Sequence, residues 1–92
     1  MRRTILMIQI FILSVFTFGI IYYIVSLIDK TAFTINHRAN REMTLFEAIY
    51  FSFITQSTIG YGDFSPNTSI AKTVVILHIL VTYILFGLTV LI

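Results

Sequence analysis

Thr55-Gln56-Ser57-Thr58-Ile59-Gly60-Tyr61-Gly62-Asp63 is the stretch of this 92-residue chain whose reading decides the fold. Gly60 and Gly62 stand on alternate positions, and glycine takes up left-handed backbone at little cost. Directly before the stretch, Thr44-Leu45-Phe46-Glu47 has the form of a capping box. The Thr44 oxygen can accept from the free amide at the third helical position, and Glu47 can reach back. Ala48 to Ser57 continues apolar, so a helix of about three turns is expected over 44–57. It is too short to cross a bilayer and too apolar for water, which marks it as a half-membrane, re-entrant helix. Irregular backbone at that depth is tolerated only where it is buried in protein or lines a water-filled path.

On either side lies a longer apolar run. Ile5 to Ile28 is 24 residues without a formal charge, with Gln9 its most polar member. Thr73 to Ile92 is another 20, interrupted mainly by His78. A bilayer core needs about 20 helical residues, and backbone in lipid must satisfy its own hydrogen bonds. Both runs are therefore expected to be membrane-spanning helices. Arg2 and Arg3 make a basic start that a secretory signal would share, but a signal's apolar region is shorter and ends at small residues. This run instead ends in Ser26-Leu27-Ile28-Asp29. Between the spans, residues 29–43 are polar, and Asn36 to Glu42 has no apolar period, so a loop or exposed turret is expected. Ser65-Pro66-Asn67 turns the chain back toward the second span. Asn67-Thr68-Ser69 is a glycosylation sequon too close to the membrane for occupancy to be expected.

The composition agrees. The chain is 58% hydrophobic and 11% charged, against about 45–50% and 25% in a soluble domain. A soluble core this small could not hide so much apolar surface, which argues against a soluble enzyme. A net charge of +2 is too thin for a nucleic-acid stripe. The absence of cysteine excludes a disulfide scaffold and a thiolate metal site, and two distant histidines do not make a zinc site.

The nine quoted residues match the signature T-x-x-T-x-G-Y-G-D of potassium channels. The layout of span, short helix, signature and span covers nearly the whole chain. It resembles a two-span potassium channel, and in brevity it is similar to the miniature potassium channels of large algal viruses. The resemblance implies an all-α membrane fold in one pore domain, 1–92. Its parts are an outer transmembrane helix (5–28), an extracellular turret (29–43), a pore helix (44–57), a selectivity filter (58–63) and an inner transmembrane helix (73–92). It also implies a tetramer with four-fold symmetry, so that each chain's partners are three identical subunits and the lipid bilayer, with no nucleic acid and no soluble substrate. The function implied is passive, selective potassium conduction, with no catalytic residue and no organic cofactor.

In such a filter, carbonyl oxygens replace the hydration shell of the ion. An extended strand alternates its carbonyls, so alternate residues must turn left-handed for all of them to face one axis, as Gly60 and Gly62 can. The implied potassium sites are carried by Thr58, Ile59, Gly60 and Tyr61, with Gly62 completing the strand. Ile59 and Tyr61 are expected to point away from the axis and pack behind the filter. Position 59 is usually Val in the family; Ile keeps the β-branch, so selectivity is expected to be retained.

Tyr50, Phe51 and Asp63 are the expected filter supports. Tyr50 and Phe51 would form an aromatic cuff, with the Tyr50 hydroxyl on Asp63 or a neighbouring group. Ordinary core packing with another partner is the alternative. Asp63 would order the filter or concentrate cations at its mouth. Glu47 reads as a helix cap. His78, Thr82, Phe86 and Thr89 recur at steps of four, four and three, one helical stripe that faces either the cavity or a neighbouring helix. They are the candidate cavity or gate lining, with Phe86 the candidate constriction and His78 a packed or hydrogen-bonded histidine. Related larger channels often carry a hinge glycine where this chain has Thr82, and Gly87 comes five residues later, so the hinge is absent or displaced. With no segment read after Ile92, gating is expected within the filter, the cavity or the helix end. Tyr22 and Tyr23 suit an interfacial belt.

Charge counts leave the orientation open, since Lys30, Arg38, Arg41 and Lys72 lie between the spans. The resemblance puts both termini in the cytoplasm, in a viral membrane or a host cell membrane. The rival readings are a small holin-like oligomer that passes ions without choosing them, and a fragment of a repeat-built potassium transporter.

Overall fold

The computed structural model describes residues 2–36 and 39–91. Met1, His37, Arg38 and Ile92 lie outside the described residues, and with them the turret expectation for His37 and Arg38 and the last residue of the second span. The elements run α1 (Arg2–Ile28), β1 (Phe33–Ile35), β2 (Ala39–Asn40), α2 (Leu45–Gln56), β3 (Phe64–Pro66) and α3 (Ser69–Leu91).

α1 has 27 residues, about 40 Å of helix at 1.5 Å per residue, enough to cross a hydrocarbon core of about 30 Å with tilt. α3 has 23 residues and starts at Ser69, ahead of the expected Thr73. The cause is local. Thr68 caps this helix, its Oγ1 accepting from the Ala71 amide at 3.2 Å and its carbonyl from the Lys72 amide at 3.0 Å. Hydropathy misses a first turn that contains Lys72. Only 17% of the most apolar window of each long helix is buried, whereas a helix at a soluble core would be mostly covered. The molecule is 44 Å long and 22 Å across.

α2 carries the capping box that the sequence predicts. Thr44 Oγ1 accepts from the Glu47 amide at 3.1 Å, and Glu47 Oε1 accepts from the Thr44 amide at 2.9 Å. Arg41 then grips Glu47 in a two-pronged pair at 2.9 and 2.8 Å. That guanidinium, helped by the Thr44 hydrogen bonds, holds the Glu47 carboxyl down at about 2.

The segment expected as a turret is partly a sheet. β1 pairs antiparallel with β2 and, on its other edge, with β3, in the order β2-β1-β3. Phe33 and Ile35 are buried and Thr34 is not, the alternation of a half-buried strand. Three residues are too few to announce this in a segment otherwise polar. Asn67, read as a sequon, spends its side-chain amide on the Thr31 carbonyl at 3.1 Å.

The core lies at the sheet end, where α1, α2 and the sheet meet. Tyr22, Phe33 and Phe51 stack edge to face there, with ring centres 4.9 to 5.9 Å apart. Tyr22 is fully buried, not interfacial as expected: its ring belongs to this cluster. α1 and α2 cross closely at Gly19, where a Cβ would come within 2.9 Å of Ile49 Cγ1 and 3.1 Å of its Cα. Two side chains stitch the crossing. The Ser52 hydroxyl donates to the Val15 carbonyl at 2.7 Å, and the Met43 amide donates to Ser26 Oγ at 3.1 Å.

Candidate functional site

The site begins where α2 stops. Ser57 caps the helix, its amide donating to the Phe53 carbonyl at 3.0 Å. Thr58 follows in the left-handed region at φ 62°. The Thr58 amide donates to the Thr55 carbonyl at 3.2 Å and the Ile59 amide to the Ile54 carbonyl at 3.0 Å. This double closure is a Schellman motif, whose left-handed position is usually glycine. A β-branched residue there is a steric outlier, at a cost on the order of 1–3 kcal/mol. The strain sits at the first residue of the expected filter, Thr58.

Left-handed backbone then recurs at every second residue, with Gly60 at φ 58° and Gly62 at φ 85°. Within one chain a Cβ at either glycine would meet nothing within 4 Å, so it is the backbone conformation that calls for glycine. The side chains between them are uncovered: Ile59 is 47% exposed and Tyr61 69%.

The far end of the strand is tied down at Asp63. Its Oδ2 accepts from the Tyr50 hydroxyl at 3.0 Å, its Oδ1 from the Phe64 amide at 3.1 Å, and its carbonyl from the Asn36 amide at 2.6 Å. Tyr50 also meets Phe64 edge to face at 5.7 Å. The expected aromatic cuff is divided. Tyr50 faces the strand exit, while Phe51, one residue on, turns into the core against Tyr22 and Phe33, as a helical step of about 100° requires.

The comparisons with known proteins bear on the same region. The ion-channel family profile matches residues 10–92. The chain belongs to the ion-channel family. This channel is 47% identical over 36 residues to "Probable potassium channel protein 2" of Methanocaldococcus jannaschii, covering 39% of this chain and 10% of that protein. It is 38% identical over 77 residues to "Two-pore potassium channel 4" of Arabidopsis thaliana, covering 82% and 24%. It is 36% identical over 44 residues to "Potassium channel protein kcv" of Paramecium bursaria Chlorella virus 1, covering 48% and 47%. The chain spans less than half the length of each of these relatives. No solved structure matches it. Family membership together with the two apolar helices makes it an integral membrane protein.

The channel's second-helix stripe, open on sequence grounds between the cavity and a neighbouring helix, meets α1 in the single chain through His78 and Phe86. His78, Thr82 and Thr89 are buried at 0%, 1% and 2%, and Phe86 stacks on Phe11 of α1 with ring centres 6.2 Å apart. The stripe is the face of α3 that covers α1. Periodicity finds such a stripe but does not say which neighbour it meets. Thr89 turns its hydroxyl back to the Leu85 carbonyl at 2.8 Å.

Two residues that matter to the channel site escaped the sequence reading. Gly19 sets how closely α1 approaches the short helix, and a lone glycine inside an apolar span is the signal that could have found it. Gln56 ends α2, two residues before Thr58. Its Nε2 donates to the Phe11 carbonyl at 3.0 Å, and its Oε1 faces His78 Nε2 at 3.0 Å. A buried glutamine at a variable position of the signature gave no periodic cue. A cleft of about 460 Å³ between Tyr23, Leu27, Lys30, Arg41 and Glu42 includes no residue of the strand in its lining.

Proposed function

We propose that four copies of this chain surround one axis and conduct potassium passively and selectively across a membrane. The observation that carries this reading is the left-handed backbone at alternate residues Thr58, Gly60 and Gly62, launched from a capped helix too short to span. Alternation of this kind turns successive carbonyls to the same side. Four such strands then offer rings of oxygens from Thr58, Ile59, Gly60 and Tyr61, which take the place of an ion's water. Gly62 closes the strand, and Asp63 adds negative charge at the mouth. The relatives' printed names, all potassium channels, support potassium as the ion.

One chain supplies one wall of such a pore. Closed homo-oligomers are cyclic, and the exposed Ile59 and Tyr61 give neighbouring copies a surface to pack behind the filter. The partners are thus three further copies and lipid. Neither nucleic acid, nor a soluble substrate, nor an organic cofactor, nor a catalytic step enters the reading. Both termini face the cytoplasm, with the sheet end outside. The likeness to an algal-virus channel supports a viral or host cell membrane as the location.

The test is to purify the chain, weigh it in native micelles and measure cation uptake into vesicles. A four-chain mass with potassium uptake far above sodium uptake is expected. Equal uptake, or a stable species of another size, would contradict the reading.

A further inference from the structure

Tyr22, His78 and Gln56 form a chain of hydrogen bonds through the protein interior, joining all three helices. The Tyr22 hydroxyl lies 2.8 Å from His78 Nδ1. His78 Nε2 lies 3.0 Å from Gln56 Oε1. Gln56 Nε2 donates to the Phe11 carbonyl at 3.0 Å. Tyr22 and His78 are fully buried and Gln56 is 6% exposed. The Phe18 ring lies flat over the imidazole at 4.2 Å.

The direction of every bond follows from one atom. The Phe11 carbonyl can only accept, so the Gln56 amide must present its nitrogen there and its oxygen to His78. The flipped amide would set two acceptors against each other at Phe11. The amide oxygen only accepts, so His78 Nε2 carries the hydrogen. A second hydrogen on Nδ1 would leave the Tyr22 hydroxyl hydrogen without an acceptor and bury a cation beside no carboxylate, which is costly. His78 is therefore neutral, in the Nε2–H form, and Tyr22 donates to it.

The chain ends at a sensitive place. Gln56 is the last residue of α2, and Thr58 begins the filter strand in a strained conformation held by the Ile54 and Thr55 carbonyls. Whatever moves Gln56 moves the base from which that strand springs. His78 belongs to α3, and Tyr22 and Phe11 belong to α1. A shift of α3 along α1 must stretch the His78–Gln56 bond or drag the end of the pore helix with it. Packed helices offer discrete arrangements rather than continuous deformation, so the bond either holds or breaks.

We propose that Gln56 and His78 are positioning residues that couple the seat of the inner helix to the first ion site of the filter, with His78 acting in its Nε2–H form. The inference rests on the potassium-conduction reading above. It assigns to this buried chain the control of how long the filter stays conducting.

The test compares the assembled wild type with Gln56→Leu, His78→Phe, His78→Gln and the Gln56→Leu/His78→Phe double variant in planar bilayers. Wild type is recorded first in mixed potassium and sodium, and a non-selective current there overturns the conduction reading itself. Given a selective wild type, Gln56→Leu and His78→Phe should each shorten filter openings by about ten-fold, the scale of one lost buried hydrogen bond. The double variant should fall well short of the two effects combined, since both changes break the His78–Gln56 bond; effects that simply multiply would overturn the proposal. His78→Gln should restore long openings, because its amide N–H can stand in for Nε2–H. Unchanged dwell times in tetramers that have merely lost heat resistance would overturn the proposal and leave plain packing. Nitrogen-15 spectra of the wild-type channel give a reading that does not depend on any variant folding. A hydrogen on Nε2 and a bare Nδ1 at His78 are expected; the opposite tautomer overturns the proposal.

Discussion

Tyr50 donates its hydroxyl hydrogen to Asp63 Oδ2 across 3.0 Å, joining the middle of the short helix to the outlet of the strand that the helix launches. The two residues are thirteen apart in sequence, and the whole candidate filter lies in the loop their bond closes. The strand is thus pinned at both ends, by the Schellman closure at Thr58 and by this bond at Asp63.

Tyr50→Phe removes that bond and leaves a part-buried carboxylate oxygen short of a donor. A lost partner of this kind costs about 1–3 kcal/mol. The expected outcome is a fall in open probability or in selectivity, read in single-channel records. A variant unchanged in conductance, open probability and selectivity would show that the bond does not support the filter.

Gly60→Ala asks an L-residue to hold φ 58°. The penalty is about 1–2 kcal/mol in each chain, and a four-fold pore would meet it four times. Loss of current or of potassium selectivity is expected in bilayer recordings. Because a Cβ at Gly60 meets nothing within 4 Å inside one chain, the folding of the single chain should survive.

Gly19→Ala forces α1 away from α2. The added Cβ lies 3.1 Å from Ile49 Cα, and backbone cannot swing aside as a side-chain tip can. Overpacking of this kind costs about 1–3 kcal/mol, so the unfolding temperature of the purified channel should drop. Adding Ile49→Ala removes the tighter contact, with Cγ1, and should recover part of the loss.

Arg41 and Glu47 set an acid limit. The Arg41 guanidinium and the Thr44 hydrogen bonds bring the Glu47 carboxyl from its ordinary 4.5 to about 2. A carboxyl depressed on folding contributes stability that is fully present above the unfolded value. That contribution fades as pH falls from about 4.5 through about 2, where Glu47 protonates in the folded chain. Arg41→Gln removes the largest cause, so loss of structure on acidification should begin at higher pH, measured by circular dichroism across that range. An identical acid transition in wild type and variant would show that the pair contributes nothing measurable, as many exposed ion pairs do.

Legibility in the sequence followed the range of each interaction. The capping box at Thr44 and Glu47 was legible because both bonds lie within one turn. The two spans were legible because a bilayer imposes a length and a composition. The left-handed turns at Gly60 and Gly62 were legible because glycine is the residue for them, whereas the same conformation at Thr58 was hidden by a side chain that rarely adopts it. The strand at Phe33–Ile35 was missed because one of its two partners, Phe64–Pro66, lies some thirty residues on, and none of the three strands is long enough to show a period. The stripe from His78 to Thr89 was found, but its direction depends on how α3 seats against α1. The bond from His78 to Gln56 depends on that same seating, and no local pattern encodes it.

The most direct measurement is the reversal potential of the purified chain in planar bilayers, with potassium on one side and sodium on the other. A filter built on alternate left-handed residues should hold the reversal close to the potassium equilibrium potential. A reversal near zero, with potassium and sodium passing alike, would contradict it.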